Sequence, residues 1–263
     1  MNEAAILFAD GKAYERLMGR WSQVVGRRFL DWLNPPKGLN WIDVGCGNGA
    51  FTEVLIARCA PAAVTGIDVS EGQLAYARRR PGTKLAQFRI ADAQSLPFAD
   101  DSFEAASMAL VITFLPDPVK AAAEMARVVK PGGIVATYMW DAPGGGFPLN
   151  PVATAMKSLG MAAPSPSYPD SSRQDSMRAI WAKAELQAVE TRVIKVLTVY
   201  ADFNDFWESN HVPIGSFGTA VVGLPPADKK RLKARLREQL PTAADGSIAY
   251  EAFANAVKGR VPG

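Results

Sequence analysis

Between residues 41 and 140, strand-length apolar runs alternate with segments of helical period, and that alternation constrains the fold more than any other feature of the chain. Trp41-Ile42-Asp43-Val44 has the pattern of a short buried strand and breaks at Gly45. From Gly49 the spacing turns helical, with Phe51, Val54 and Leu55 sharing a face. Residues 63–67 read as a second strand, 70–79 as a helix, and Pro81-Gly82 as the turn into a third strand over 84–90. Residues 103–110 are apolar almost throughout, as expected of a strand covered on both faces. Asp117 and Pro118 predict an N-cap and a first helical residue. The helix they open carries Val119, Ala122, Ala126 and Val129 on one face, Lys130-Pro131-Gly132-Gly133 predicts its stop, and 134–140 the next strand. Strand and helix repeated at this spacing imply a parallel sheet with right-handed crossovers.

The second half is built differently. Gly144-Gly145-Gly146 breaks the pattern, and 142–175 is rich in Pro, Gly, Ser and Ala, which predicts an irregular or helical insertion. Gln187–Tyr200 is dense in β-branched residues and predicts one long strand. Residues 226–240 predict a helix with Leu232, Leu236 and Leu240 on one face, and 246–261 a strand beside Gln187–Tyr200. Residues 12–33 predict an amphipathic helix ahead of the first strand. With no internal repeat, the expectation is a single domain over 1–263: a core at 38–140, insertions at 142–225, and a closing helix and strand at 226–263.

Several classes are disfavoured outright. At 263 residues with 48% in the apolar set, the chain is large enough to bury a core without staples. Its cysteines, Cys46 and Cys59, form no C-x-x-C pair and it has one histidine, which argues against a zinc site, so no metal is expected. No apolar run reaches the ~18 residues of a membrane helix. A net charge of +3 argues against a dedicated nucleic-acid binder. The first residues carry no basic leader, and the expected setting is a reducing cytoplasm.

The stretch that carries chemistry is Asp43-Val44-Gly45-Cys46-Gly47-Asn48-Gly49. A strand that ends in glycines and opens a helix lets a ligand approach its backbone, and the helix start offers free N–H groups. Two ligands fit such a turn. Gly45-x-Gly47-x-x-Ala50 matches a dinucleotide fingerprint, and Asp68 lies 19 residues (68 − 49) beyond Gly49, near the spacing of a ribose-binding acid. An NAD(P)-dependent oxidoreductase is therefore one reading. Asp43, Asp68 and Asp92 at successive strand ends, however, suit a cationic nucleoside better than a dianionic linker.

On these residues the chain resembles the class I S-adenosylmethionine-dependent methyltransferases, of the small-molecule type related to quinone-biosynthesis enzymes. Residues 43–49 resemble the family's first motif and Gly66-Ile67-Asp68-Val69-Ser70 its second-strand motif. Ala91-Asp92-Ala93-Gln94-Ser95-Leu96-Pro97-Phe98, followed by Asp101-Ser102-Phe103, resembles the adenine-side motif and the entry to strand four. Leu115-Pro116-Asp117-Pro118 and the run from Val128 to Gly133 match the helix and turn before strand five. Residues 14–22 look like the leader helix of many bacterial members. The resemblance implies a Rossmann-like doubly wound α/β sheet, mostly parallel with an antiparallel late strand, plus an N-terminal helix and inserted lid helices. It implies S-adenosylmethionine as cofactor and S-adenosylhomocysteine as product.

Residue by residue, the resemblance implies that Gly45 and Gly47 receive the methionine portion, with Asp43 facing its ammonium. Asp68 then accepts the ribose hydroxyls, Val69 packs on the adenine, Asp92 and Ala93 hold its edge, and the Leu110 backbone lines the methionine side. Tyr14 and Arg20 are candidates to close over the carboxylate end. The implied acceptor is a small apolar or aromatic molecule, methylated at oxygen, carbon or nitrogen, with residues 142–185 and 201–225 on its side of the pocket. RNA or protein methylation, and a ligand-binding protein without turnover, are the other readings.

No catalytic residue is assigned. His211 is a weak general-base candidate. Ile214-Gly215-Ser216-Phe217-Gly218 lacks the first glycine of a nucleophile elbow. Basic residues between Lys229 and Arg237 read as the solvated face of a helix, and Phe203, Phe206, Trp207 and Phe217 as an apolar lid.

Overall fold

The computed structural model describes residues 20–213 and 215–263. In chain order these form α1 (Arg20–Leu33), β1 (Asn40–Val44), α2 (Ala50–Cys59), β2 (Ala63–Asp68), α3 (Glu71–Ala77), β3 (Ala86–Ile90) and β4 (Phe103–Ala109). Next come α4 (Pro118–Val128), β5 (Val129–Trp140), α5 (Asn150–Ser158), α6 (Gln174–Lys183) and β6 (Gln187–Tyr200). The chain closes with α7 (Phe203–Asn210), α8 (Gly215–Gly223), α9 (Pro226–Gln239) and β7 (Ile248–Arg260).

The strands make one seven-stranded sheet in the order β3-β2-β1-β4-β5-β7-β6. From β3 to β5 every pairing is parallel. β7 slots between β5 and β6 and runs antiparallel to both, so it is the reversed late strand that the sequence led one to expect. Each face of the sheet has its own core. On one, Val25 and Phe29 of α1 and Phe51 and Leu55 of α2 pack against Trp41, Tyr138 and Ile194. On the other, Ala122 and Met125 of α4 and Trp181 of α6 pack against Ile42, Met108 and Val135. Strands apolar on both faces demand this arrangement, because neither face can be left to water.

Local chemistry fixes the ends of elements. The Asp117 carboxylate accepts from the Lys120 N–H at 2.9 Å and Pro118 takes the first helical position of α4. The predicted stop at Lys130–Gly133 differs in detail: α4 ends at Val128, and those four residues already belong to β5. The chain terminus explains it, since Gly132 N–H donates to the Val261 carbonyl at 2.9 Å and Val261 N–H to the Gly133 carbonyl at 3.1 Å, extending the ladder across the glycines. The insertion over 142–175 contains α5 and a 3₁₀ turn at Pro169–Ser172. Among the described residues no helix is long and apolar enough to cross a membrane.

Candidate functional site

β1 and β4 are neighbours although the chain runs from β1 outward through β2 and β3 before returning to β4. Such a reversal opens a crevice at the carboxyl ends of the strands. There the structure has a cavity of about 500 Å³.

The wall on the β1–β3 side is backbone and carboxylate. Gly45 has φ +70°, and a Cβ at that position would lie 2.5 Å from Val111 Cγ2, so only glycine can keep this turn against the start of the next loop. Gly47 has φ +53°, and its N–H donates to Asp68 Oδ2 at 2.9 Å. The Ser70 N–H donates to Asp68 Oδ1, also at 2.9 Å. Asp68 at the end of β2 is thus fixed by backbone on both oxygens, each of which keeps a lone pair for a ligand. Burial raises its pKa, opposed by the N–H bonds from Ser70, Gly47 and Val69.

Val69 lies 38% exposed on the same wall. Beyond β3, Asp92 is exposed at the rim, its Oδ1 accepting from the Gln94 N–H at 2.8 Å, and Ala93 is buried beside it. Leu110, after β4, lines the cavity in a left-handed conformation (φ +61°), tied by its N–H to the Tyr138 carbonyl at 2.9 Å. A non-glycine residue held there stores about 1–2 kcal/mol of backbone strain.

The structure thus brings Gly45, Gly47, Asp68, Val69, Asp92, Ala93 and Leu110 to one cavity. Asp43 requires a correction: its carboxylate does not line the cavity but lies fully buried beneath the loop, accepting from Thr52 Oγ1 at 2.6 Å. Its other oxygen has no hydrogen-bond partner. Burial, aided by the charge of Asp68, pushes its pKa up to about 7 against the Thr52 bond. Cys46 lines the loop, but burial holds its thiol protonated. Tyr14 lies outside the described residues, as does the side chain of Arg20, whose backbone opens α1.

The opposite wall is apolar and comes from later in the chain. Phe114, Trp140, Phe147, Pro164, Pro166 and Phe217 line it. Of the expected lid aromatics only Phe217 is there, its ring 5.9 Å from that of Phe147. Phe206 and Trp207 are instead buried in the core under β6, and Phe203 packs against that core. The basic face of α9 covers part of it, with Lys233 4.6 Å above Trp207 and Arg237 4.1 Å above Phe203, so these cations are not simply solvated.

His211 stacks on Trp207, ring centroids 5.2 Å apart, and does not line the cavity, so it is not positioned as a general base. Burial, and then Lys229, lower its pKa. Ser216 sits in α8 rather than on a strand-to-helix elbow. Among the described residues no group of three or more His, Cys, Asp or Glu is placed to hold a metal ion.

Sequence reasoning missed the contributions of Ser22, Tyr138, Asn150 and Lys157 to the lining. For two of them a signal existed: Asn150, Ala153 and Lys157 recur at i, i+3 and i+7 along α5 and share a face.

Comparison with known proteins bears on the same segment. Residues 42–137 match a family model described as a methyltransferase domain. The chain is 38% identical over 132 residues to O-methyltransferase cnsE of Penicillium expansum, covering 46% of this chain and 48% of that protein. It is 36% identical over 114 residues to demethylmenaquinone methyltransferase of Desulfitobacterium hafniense, covering 41% of this chain and 45% of that protein. The match therefore spans about half the length of these curated relatives. A solved SAM-dependent methyltransferase of Thermotoga maritima superposes with a TM-score of 0.57 at 18% identity, covering 98% of this chain and 99% of that one. Strand order and crevice agree with these matches: the chain has the Rossmann-like fold of the class I methyltransferases, and its residues 42–137 are the part similar to a methyltransferase domain.

Proposed function

We propose that the protein binds S-adenosylmethionine in this crevice and transfers its methyl group to a small apolar or aromatic acceptor, at oxygen, carbon or nitrogen. The observation that carries the reading is Asp68, held by the Gly47 and Ser70 N–H groups at the edge of a cavity whose far wall is apolar. The residues fit the cofactor: a carboxylate with spare lone pairs suits a ribose diol, and a Cβ on Gly47 would meet nothing nearer than Gln73 Oε1 at 3.9 Å, so the bare backbone there leaves room for a ligand. When bound, the cofactor supplies a methyl group already activated on a sulfonium.

In this reading Asp68 accepts the ribose hydroxyls, Val69 packs on the adenine, and Asp92 with the Ala93 N–H holds its edge. Gly45, Gly47 and the Leu110 backbone receive the methionine portion, which Tyr14 and Arg20 would close over. Asp43 acts from below the loop, not by contact. The remaining task is to hold the acceptor aligned at about 3–3.5 Å and dry, which the aromatic and proline wall is built to do. Cofactor contacts would come from 38–140 and acceptor contacts mainly from 142–225 of one domain. Cys46 and Cys59 are free thiols, which supports a reducing compartment.

Calorimetry with S-adenosylhomocysteine and with NAD(P) tests the reading. The homocysteine nucleoside is expected to bind, and Asp68→Ala to weaken it about 10–100-fold through loss of charge-assisted hydrogen bonds. Binding of NAD(P) with no response to S-adenosylhomocysteine would overturn it.

A further inference from the structure

The otherwise apolar wall of the cavity contains one cation and one acid, Lys157 and Asp170. Lys157 is the sole basic side chain among the described residues that line the cavity, and it stands at the exposed end of the acceptor wall. It lies on the cavity face of α5 with Asn150 and Ala153, one helical stripe that is polar, then small, then cationic. Among the described residues no carboxylate pairs with it. The acid on that wall, Asp170, is instead paired with Arg173 Nε at 2.9 Å. Behind the end of α5, Arg235 Nε donates to Ser158 Oγ at 3.3 Å and Arg231 reaches the Leu159 carbonyl at 3.5 Å, but each is already paired, Arg231 with Asp228 and Arg235 with Glu238. Lys157 is thus the cation of the lining for which no carboxylate partner is found among the described residues, while the β1–β3 side of the cavity carries Asp68 and Asp92.

We propose that Lys157 is an acceptor-binding residue and that the acceptor is an amphipathic anion: an aromatic or apolar body seated against Phe147 and Phe217, with an anionic group directed outward to Lys157. This deepens the methyl-transfer reading and rests on it. The polarity has a consequence for orientation. An anion at the mouth places the apolar body inward, so the atom methylated belongs to the end of the molecule remote from its charge. A lysine at a half-open mouth contributes a modest, salt-sensitive preference rather than most of the affinity.

Two probes that share a ring system separate the charge from the body: 8-anilinonaphthalene-1-sulfonate, which is anionic, and N-phenyl-1-naphthylamine, which is neutral. Fluorescence titration of both is run on the full chain and its variants. Phe217→Ala is expected to weaken both probes, marking the cavity as their site. Lys157→Gln is expected to weaken the sulfonate about fivefold and leave the neutral probe unchanged, and Lys157→Arg to restore the sulfonate. Equal weakening of both probes by Lys157→Gln would show that only the aliphatic stem matters, and no weakening would show no role. Sulfonate binding unmoved by Phe217→Ala would place it elsewhere. Any of the three overturns the proposal. S-adenosylhomocysteine calorimetry on the unmodified protein is read separately: its failure removes the methyl-transfer reading, whatever the probes do.

Discussion

Asp43 is the residue whose environment departs furthest from the ordinary. It is wholly buried under the glycine loop, bonded through one oxygen to Thr52, and its pKa stands at about 7. An unfolded chain would ionise it near 4. Between those values the folded state holds a proton that the unfolded state has lost, so this residue's contribution to stability is present below about pH 4 and declines as pH rises to about 7. The magnitude is of the order of a few kcal/mol. Asp43→Asn keeps an acceptor for Thr52 and abolishes the titration. Urea unfolding at pH 5 and pH 8 should therefore show the natural chain losing stability between the two relative to the variant. Parallel pH dependence in both chains would mean that the carboxyl is not titrating. In the sequence this residue reads as one of three equivalent rim acids, because strand-end position is visible there and depth is not. Asp68, with two backbone N–H donors, and Asp92, exposed at the rim, occupy quite different environments.

Elements in this chain are legible where their signal is local. The Asp117-Pro118 pair places the start of α4, and the β-branched run places β6, because capping and strand preference act over a few residues. The cap can be tested directly. Asp117→Ala removes the bond to the Lys120 N–H on an exposed surface and should cost about 1 kcal/mol, read as a fall in melting temperature of ~2–4 °C. Asp117→Asn should recover most of it, and an unchanged melting temperature in the alanine variant would show the helix start to be held by packing alone. Where elements were misjudged, the cause was distant. Val261 pairs across Gly132 and Gly133 from 128 positions beyond Gly133 (261 − 133), so the loop before β5 is drawn into the sheet. Phe206 and Trp207 have the composition of a lid, yet the long β6–β7 ladder and α9 offer them a drier place.

At the scale of the whole molecule, the glycine and carboxylate side of the crevice was readable because its parts sit on consecutive strand ends, each announced by a glycine or an acid. The apolar side was not, since Phe147, Lys157 and Phe217 reach the cavity only through the way the later segments fold back over the sheet. Leu110 gave no warning either: nothing in its side chain signals φ +61°. This division predicts how ligand binding couples to folding. A ligand of the β1–β4 crevice contacts loops joined to four of the seven strands and has no counterpart in the unfolded chain. S-adenosylhomocysteine at 100 times its dissociation constant should then stabilise the fold by ~2.7 kcal/mol, raising the melting temperature by ~5–10 °C. The added stability should grow with the logarithm of concentration, and amides of the 45–49 loop should gain protection from hydrogen exchange while the β6–β7 ladder does not gain beyond the global term. A melting temperature indifferent to the ligand at saturation, or protection confined to the β6 edge, would place binding outside the crevice.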